Sequence, residues 1–254
     1  WVVDKTVPYM DFREHAGLFW LLDNNKIAKP GTKKLYNVRA DYYGFYPVSN
    51  SPANHEWRSN SLPETSKKPD LIYIADTYGV YRDDYMQKKP PEGTLSLLHG
   101  GLDNNDYKII QSALGQGNTF IAEFNTAASP TNANNRDLLG RLIGLSWRGW
   151  IGNYYDDLAP HGSVPAWIVQ NWESALNQKW TFSGRGIVLL NEKGDIEVLT
   201  EKEDISPKGM KMVFNAPFDS EIGIKKPVSY RYWFEWVTAD PLLEEVAHYE
   251  HNLK

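Results

Sequence analysis

Apolar residues fall along this chain in short blocks that end on an acid. Val2 and Val3 run into Asp4, residues 71–75 run into Asp76, and residues 119–124 contain Glu123 near their end. Short, almost continuously apolar blocks predict strands buried on both faces of a parallel sheet. Between them the period changes to that of a helix. Residues 13–25 carry Leu18, Phe19, Leu21 and Leu22 at helical spacing, and residues 107–114 gather Ile109, Ile110, Ala113 and Leu114 on one face. Gly115 and Gly117 stop that helix, and residues 136–145 form another. Residues 70–131 thus read as a βαβ unit that delivers Asp76 and Glu123 to one sheet edge. Ligand sites of open α/β sheets lie at such an edge.

Elsewhere the pattern is looser. Residues 35–46 read as a strand entering an aromatic loop, 29–31 as a turn, and 47–69, rich in Ser, Asn and Pro, as a long surface loop. From Phe182 the pattern becomes strand–turn–strand. Residues 186–200 form a hairpin around Lys193-Gly194, 210–214 and 230–238 are further strands, and the tail 242–253 reads as helical. The expected fold is α/β: a three-layer, mostly parallel sheet over residues 1–181, with a β-rich extension, 182–254, packed on the same domain.

Charge and composition narrow the chemistry. The net charge is −5 with Lys and Arg scattered, so no basic face is expected and nucleic acid is not a partner. No apolar run has the length of a membrane span. The opening WVVDKTVP, without Met, reads as a piece of a longer protein, so membrane attachment would come only through missing flanking segments. The absence of Cys removes disulfides, thiolate metal sites and Cys nucleophiles together. Ten Trp and fifteen Tyr are aromatics with a polar edge, suited to sugars and to interfaces as well as to a core.

Four acids, Asp4, Asp41, Asp76 and Glu123, are expected at strand ends. Carboxylates gathered in one cleft push their pKa values apart, which general acid–base chemistry on glycosides requires. They would also suit Mg²⁺ or Ca²⁺, or simply cap the following helices. Glu123 stands out, because an ionised Glu ending a buried strand needs a partner or a cleft. Asn125 is placed beside it as a hydrogen-bonding partner for a ligand. Arg13, Glu14 and His15 sit at the mouth of the first helix, where Arg13 and His15 could hold an anion. Trp147 and Trp150, with Tyr154, Tyr155 and Arg148, form an aromatic patch fit for stacking or for packing. The six His lack zinc-site spacing, and neither a serine-hydrolase elbow nor a dinucleotide fingerprint occurs, so no metal and no cofactor is expected.

The succession of strand, helix, strand, DLIYIAD, helix and GNTFIAEFN resembles the class I glutamine amidotransferase-like, flavodoxin-like α/β superfamily over roughly residues 1–150. Catalytic members hold a Cys nucleophile in a tight elbow after the strand matching residues 119–124. Here the elbow reads Glu123-Phe124-Asn125-Thr126, so glutamine hydrolysis by that route is excluded. DKTVP at Asp4, REH at Arg13, DYYGFYP at Asp41, ADTYGVY at Ala75 with Tyr78, EFNTAASPT at Glu123 and the Trp147–Trp150 patch resemble an uncharacterised branch of bacterial envelope proteins. That resemblance implies an extracytoplasmic, cell-envelope location. The leading expectation is a non-catalytic ligand- or glycan-binding module of a larger envelope protein, with Asp4, Arg13, His15, Asp76, Tyr78, Glu123, Asn125, Trp147 and Trp150 at its site. The alternative is a carbohydrate-active hydrolase using Glu123 with Asp76 or Asp41. A glycan or a small molecule is the expected partner, and the sequence leaves the oligomeric state open.

Overall fold

Val2–Asp4 (β1) is buried at every residue because strands flank it on both sides. The computed structural model describes residues 1–48, 56–65, 67–82, 85, 96–115, 117–207 and 209–254. They divide into two units, Trp1–Ile143 and Gly144–Lys254.

The first unit continues with Arg13–Asn24 (α1), Tyr43–Pro47 (β2), Trp57–Asn60 (β3), Leu71–Asp76 (β4), Val80–Tyr81 (β5) and Leu97–His99 (β6). Asn104–Ala113 (α2), Thr119–Ala122 (β7) and Ala133–Ile143 (α3) complete it. Its main sheet has the order β3-β2-β1-β4-β7. β1 runs parallel to β2 and β4, and β4 parallel to β7, while β3 closes one edge antiparallel to β2. Successive residues of a strand point to opposite faces, and both faces are apolar. Val2, Tyr73 and Ala75 pack with Phe19 of α1, and Val3 and Ile74 pack with Ile109 and Ile110 of α2 and Leu139 of α3. Asp103 and Asp106 close a capping box on α2, which sets where that helix begins.

The second unit consists of Leu145–Tyr155 (β8), Ala166–Leu176 (α4), Gly186–Asn191 (β9), Ile196–Thr200 (β10), Lys211–Phe214 (β11), Phe218–Ile222 (α5), Val228–Ser229 (β12), Phe234–Ala239 (β13) and Ala247–Glu250 (β14). Two sheets, β10-β9-β8-β13 and β12-β11-β14, are antiparallel throughout. Ile168 and Trp172 of α4 pack with Tyr155, Val188, Leu190 and Trp180.

The expected three-layer, mostly parallel α/β fold is overturned. The chain is 22% helical and 30% strand. Among the described residues seven of the ten strand pairings are antiparallel, spread over four sheets. The largest single reason is β8. Its eleven residues, the Trp patch of the sequence, lack clean alternation yet pair with both β9 and β13. They join the second unit, whereas the sequence assigned them to a first domain ending at 181. The tail is a strand, β14, because β11 offers it an edge, and residues 35–42 lie outside β2. The loop expected at 47–69 contains β3, and residues 49–55 and 66 lie outside the described residues.

Candidate functional site

β1 and β4 end side by side, with Asp4 in register with Asp76. Their carboxyls then part company. Asp4 is sealed from solvent, as is His15 from the first turn of α1, and Asp4 Oδ2 lies 2.5 Å from His15 Nδ1. The other carboxyl oxygen accepts from the Thr6 amide at 2.9 Å. His15 Nε2 faces the Val38 carbonyl oxygen at 2.9 Å, and the ring lies 4.5 Å from that of Tyr42. Both ring nitrogens therefore face oxygens of the protein. The sequence placed Asp4 and His15 at the ligand; the structure puts both behind the surface, spent on each other.

Asp76 is 8% exposed, and among the described residues every hydrogen bond it accepts comes from a neutral donor. Oδ1 takes the Tyr78 amide at 2.6 Å and the Thr6 hydroxyl at 2.9 Å. The Asn125 amide nitrogen stands 3.4 Å from both oxygens. Thr6 Oγ1 in turn accepts the Gly79 amide at 2.8 Å, tying the segments after β1 and β4 together. Burial pushes the carboxyl up to about 7, and the charges of Asp4 and Glu14 add to the rise against the two hydrogen bonds. Near neutral pH this group both gives and takes a proton.

Asn125 reaches Asp76 because the turn after β7 takes a left-handed backbone, φ 67°, which Asn tolerates better than most residues. The Asn125 carbonyl accepts the Thr77 hydroxyl at 2.8 Å, and Thr126 Oγ1 donates to the Glu123 carbonyl at 2.7 Å. Glu123 is exposed, against the expectation of a buried strand end, because β7 is the edge of its sheet. It therefore needs no cation. Its Oε1 accepts the Tyr73 hydroxyl at 2.5 Å, and burial, then Glu123 itself, raises that hydroxyl's pKa. Tyr73 and Thr6 were missed in the sequence. Tyr73 left a signal, as the polar-tipped aromatic inside an otherwise apolar strand; Thr6 left none.

Asp41 does not join this group. It precedes β2, which runs parallel to β1, so it lies at the amino end of the sheet, bound to Lys29 Nζ and the Asn37 amide, each at 2.6 Å. Arg13 is exposed and pairs with Glu14. Tyr78 follows β4 directly, 38% exposed, its ring 5.0 Å from that of Tyr81. Trp147 and Trp150 belong to the second unit, where Trp147 Nε1 donates to the Trp150 carbonyl at 2.9 Å. Lys5, next to Asp4, is buried in an ion pair with Asp106 and donates to the Gly101 carbonyl at 2.7 Å. Half-buried His99 is pushed down to about 4 by burial and then by the Lys5 charge.

Among the described residues no three His, Asp or Glu side chains are grouped to hold a metal ion, and no helix is long and apolar enough to cross a membrane. Compared with known proteins, the chain matches no family model, no curated protein and no solved structure.

Proposed function

We propose that the carboxyl edge of β1, β4 and β7 binds a neutral, hydroxyl-rich ligand of the glycan class, and that the chain is a non-catalytic binding module. The supporting observation is Asp76: nearly buried, held by neutral donors, and poised at about 7. A carboxyl in that state offers a donor and an acceptor together, the pair that a sugar hydroxyl complements. Glu123 adds an exposed carboxylate, and half-exposed Tyr78 a ring face. Placement in a larger cell-envelope protein rests on the resemblance of the quoted segments and on nothing in the fold.

A second reading has its own observation. Asp76 and Glu123 sit in unlike environments, one with its pKa raised by burial, the other exposed and bound to Tyr73. One buried and one exposed carboxyl at the same sheet edge are the kind of pair that glycoside hydrolysis uses. One experiment decides between them: wild type, Asp76→Asn and Glu123→Gln on a glycan array, with released reducing ends measured on each glycan bound. Binding by wild type that Glu123→Gln loses at unchanged melting temperature, without released ends, supports the module. Release by wild type but not by Glu123→Gln replaces it with the hydrolase. A wild type that binds no glycan ends both.

A further inference from the structure

The second unit carries a small, open polar depression of about 60 Å³, walled by Tyr154, Tyr230 and Met210 and bordered by Arg185, Arg231 and Ser229. Its distinguishing property is a surplus of unspent donors. Arg185 gives its Nε–H to Glu201 Oε2 at 2.9 Å, and Arg231 gives one Nη1–H to Asp156 Oδ2 at 2.7 Å. A guanidinium carries five N–H donors. Among the described residues the Nη groups of Arg185 and the rest of the Arg231 fork have no protein acceptor, and the Ser229 hydroxyl makes no hydrogen bond. The two tyrosines have none to spare. Tyr154 Oη donates to Glu201 Oε1 at 2.7 Å and Tyr230 Oη to the Trp233 carbonyl at 2.8 Å, so they supply walls rather than protons.

The neighbouring acids offset the charge of the two arginines but leave N–H donors over. Glu201, nearly buried, takes the Arg185 Nε–H and the Tyr154 hydroxyl, and both Nη groups of Arg185 remain. Asp156 and Arg231 are both well exposed, so water screens their pairing. The Arg231 guanidinium carbon lies 6.0 Å from the Tyr154 ring centroid, which holds the cation over the depression's wall.

We propose that this depression binds a small oxyanion, either free phosphate or the carboxylate of a larger acidic ligand, gripped by the Arg185 and Arg231 forks and the Ser229 hydroxyl. The planar guanidinium fork matches two oxygens of such a group, which a lysine ammonium does not. The site is independent of the carboxyl edge in the first unit and shares no residue with it.

The test titrates the full chain with inorganic phosphate and, separately, with acetate, at constant ionic strength held with chloride. The Gly209 amide resonance reports occupancy. A saturable shift is expected with at least one anion. Arg231→Gln should weaken it about tenfold, the loss of one charge-assisted contact, and Ser229→Ala should weaken it less. Lys193→Gln, which removes an exposed charge at the β9–β10 turn, should leave it unchanged. Tighter phosphate binding assigns a tetrahedral anion, and equal or tighter acetate binding assigns a carboxylate. The proposal falls if neither anion saturates, if chloride alone gives the same shift, or if binding survives Arg231→Gln and Arg185→Gln. Should Arg185→Gln fail to fold, Arg231→Gln and Ser229→Ala decide.

Discussion

Asp4 and Asp76 occupy matched positions on neighbouring strands, yet one carboxyl is sealed against the His15 imidazole at 2.5 Å and the other, among the described residues, accepts only from neutral donors. Register brought the two acids together, and the supply of a histidine to one of them separated them. α1 lies on the face to which Asp4 points and provides His15. Asp76 turns instead toward Thr6, Tyr78 and Asn125, and its pKa rises because burial penalises its charge, with no counterion beside it among the described residues.

The pH dependence of stability follows in sign. The folded protein holds the Asp76 proton up to about 7, against an ordinary value of 3.8. Between these values the native state binds more protons than the unfolded chain, so stability falls as pH rises from about 4 to 7 and levels off above. A rise of this size corresponds to at most on the order of 4 kcal/mol. Asp76→Asn should flatten that slope and gain on wild type toward pH 8. Urea unfolding of both proteins at acid and alkaline pH measures it, and parallel profiles would refute the assignment.

The Asp4–His15 pair should behave as a coupled unit. His15→Leu strands a buried carboxylate and should destabilise by about 3–5 kcal/mol. Asp4→Asn combined with His15→Gln should lose less than the sum of the single changes, with coupling of about 0.5–3 kcal/mol. A double-mutant cycle by denaturant titration reads the difference, and strict additivity would mean the contact carries no energy.

Gly44 is required for β1 and β2 to lie together. Its φ is +140°, and an added Cβ would stand 1.8 Å from the Asp4 backbone oxygen. Gly44→Ala should therefore destabilise by at least about 3 kcal/mol or prevent folding. Gly31→Ala, also at positive φ but with open space around it, should lose only about 1 kcal/mol. Thermal melts of the pair make the comparison, and equal losses would contradict the close approach.

Tyr73→Phe deletes one hydroxyl and frees the Glu123 side chain. The expected stability loss is about 1 kcal/mol, the usual net value of a hydrogen bond. Glycan binding should fall by more than stability does, because Glu123 loses its fixed position. Binding that is unchanged at the same melting temperature would remove Tyr73 from the site.

Much of the local structure was legible. β1, α1, β4 and the β9–β10 hairpin follow the sequence pattern closely, and Asp4 and Asp76 end their strands as read. Asp41 was misplaced because the strand was drawn too early. Beginning at Tyr43, β2 leaves Asp41 at the opposite edge of the sheet. The strand leading to Glu123 was read as buried because it is apolar, but an apolar strand on a sheet edge still meets water. β8 hid because a strand paired on both sides, with Gly149 and Gly152 breaking its side-chain pattern, shows no period of two.

By itself the sequence determined what depends on residue type and near-neighbour spacing: the short buried strands, the amphipathic helices, the acids that end β1 and β4, and the absence of any thiol chemistry. Only the tertiary structure decided which segments lie beside one another. That choice made β7 an edge, gave Asp4 its histidine and gave Asp76 the neutral donors of Thr6, Tyr78 and Asn125. It also joined Lys5 to Asp106 across a separation of 101 residues and turned the second half antiparallel. The reason is physical. A carboxylate's charge state is set by burial and by partners within a few ångströms, and those partners arrive from distant parts of the chain.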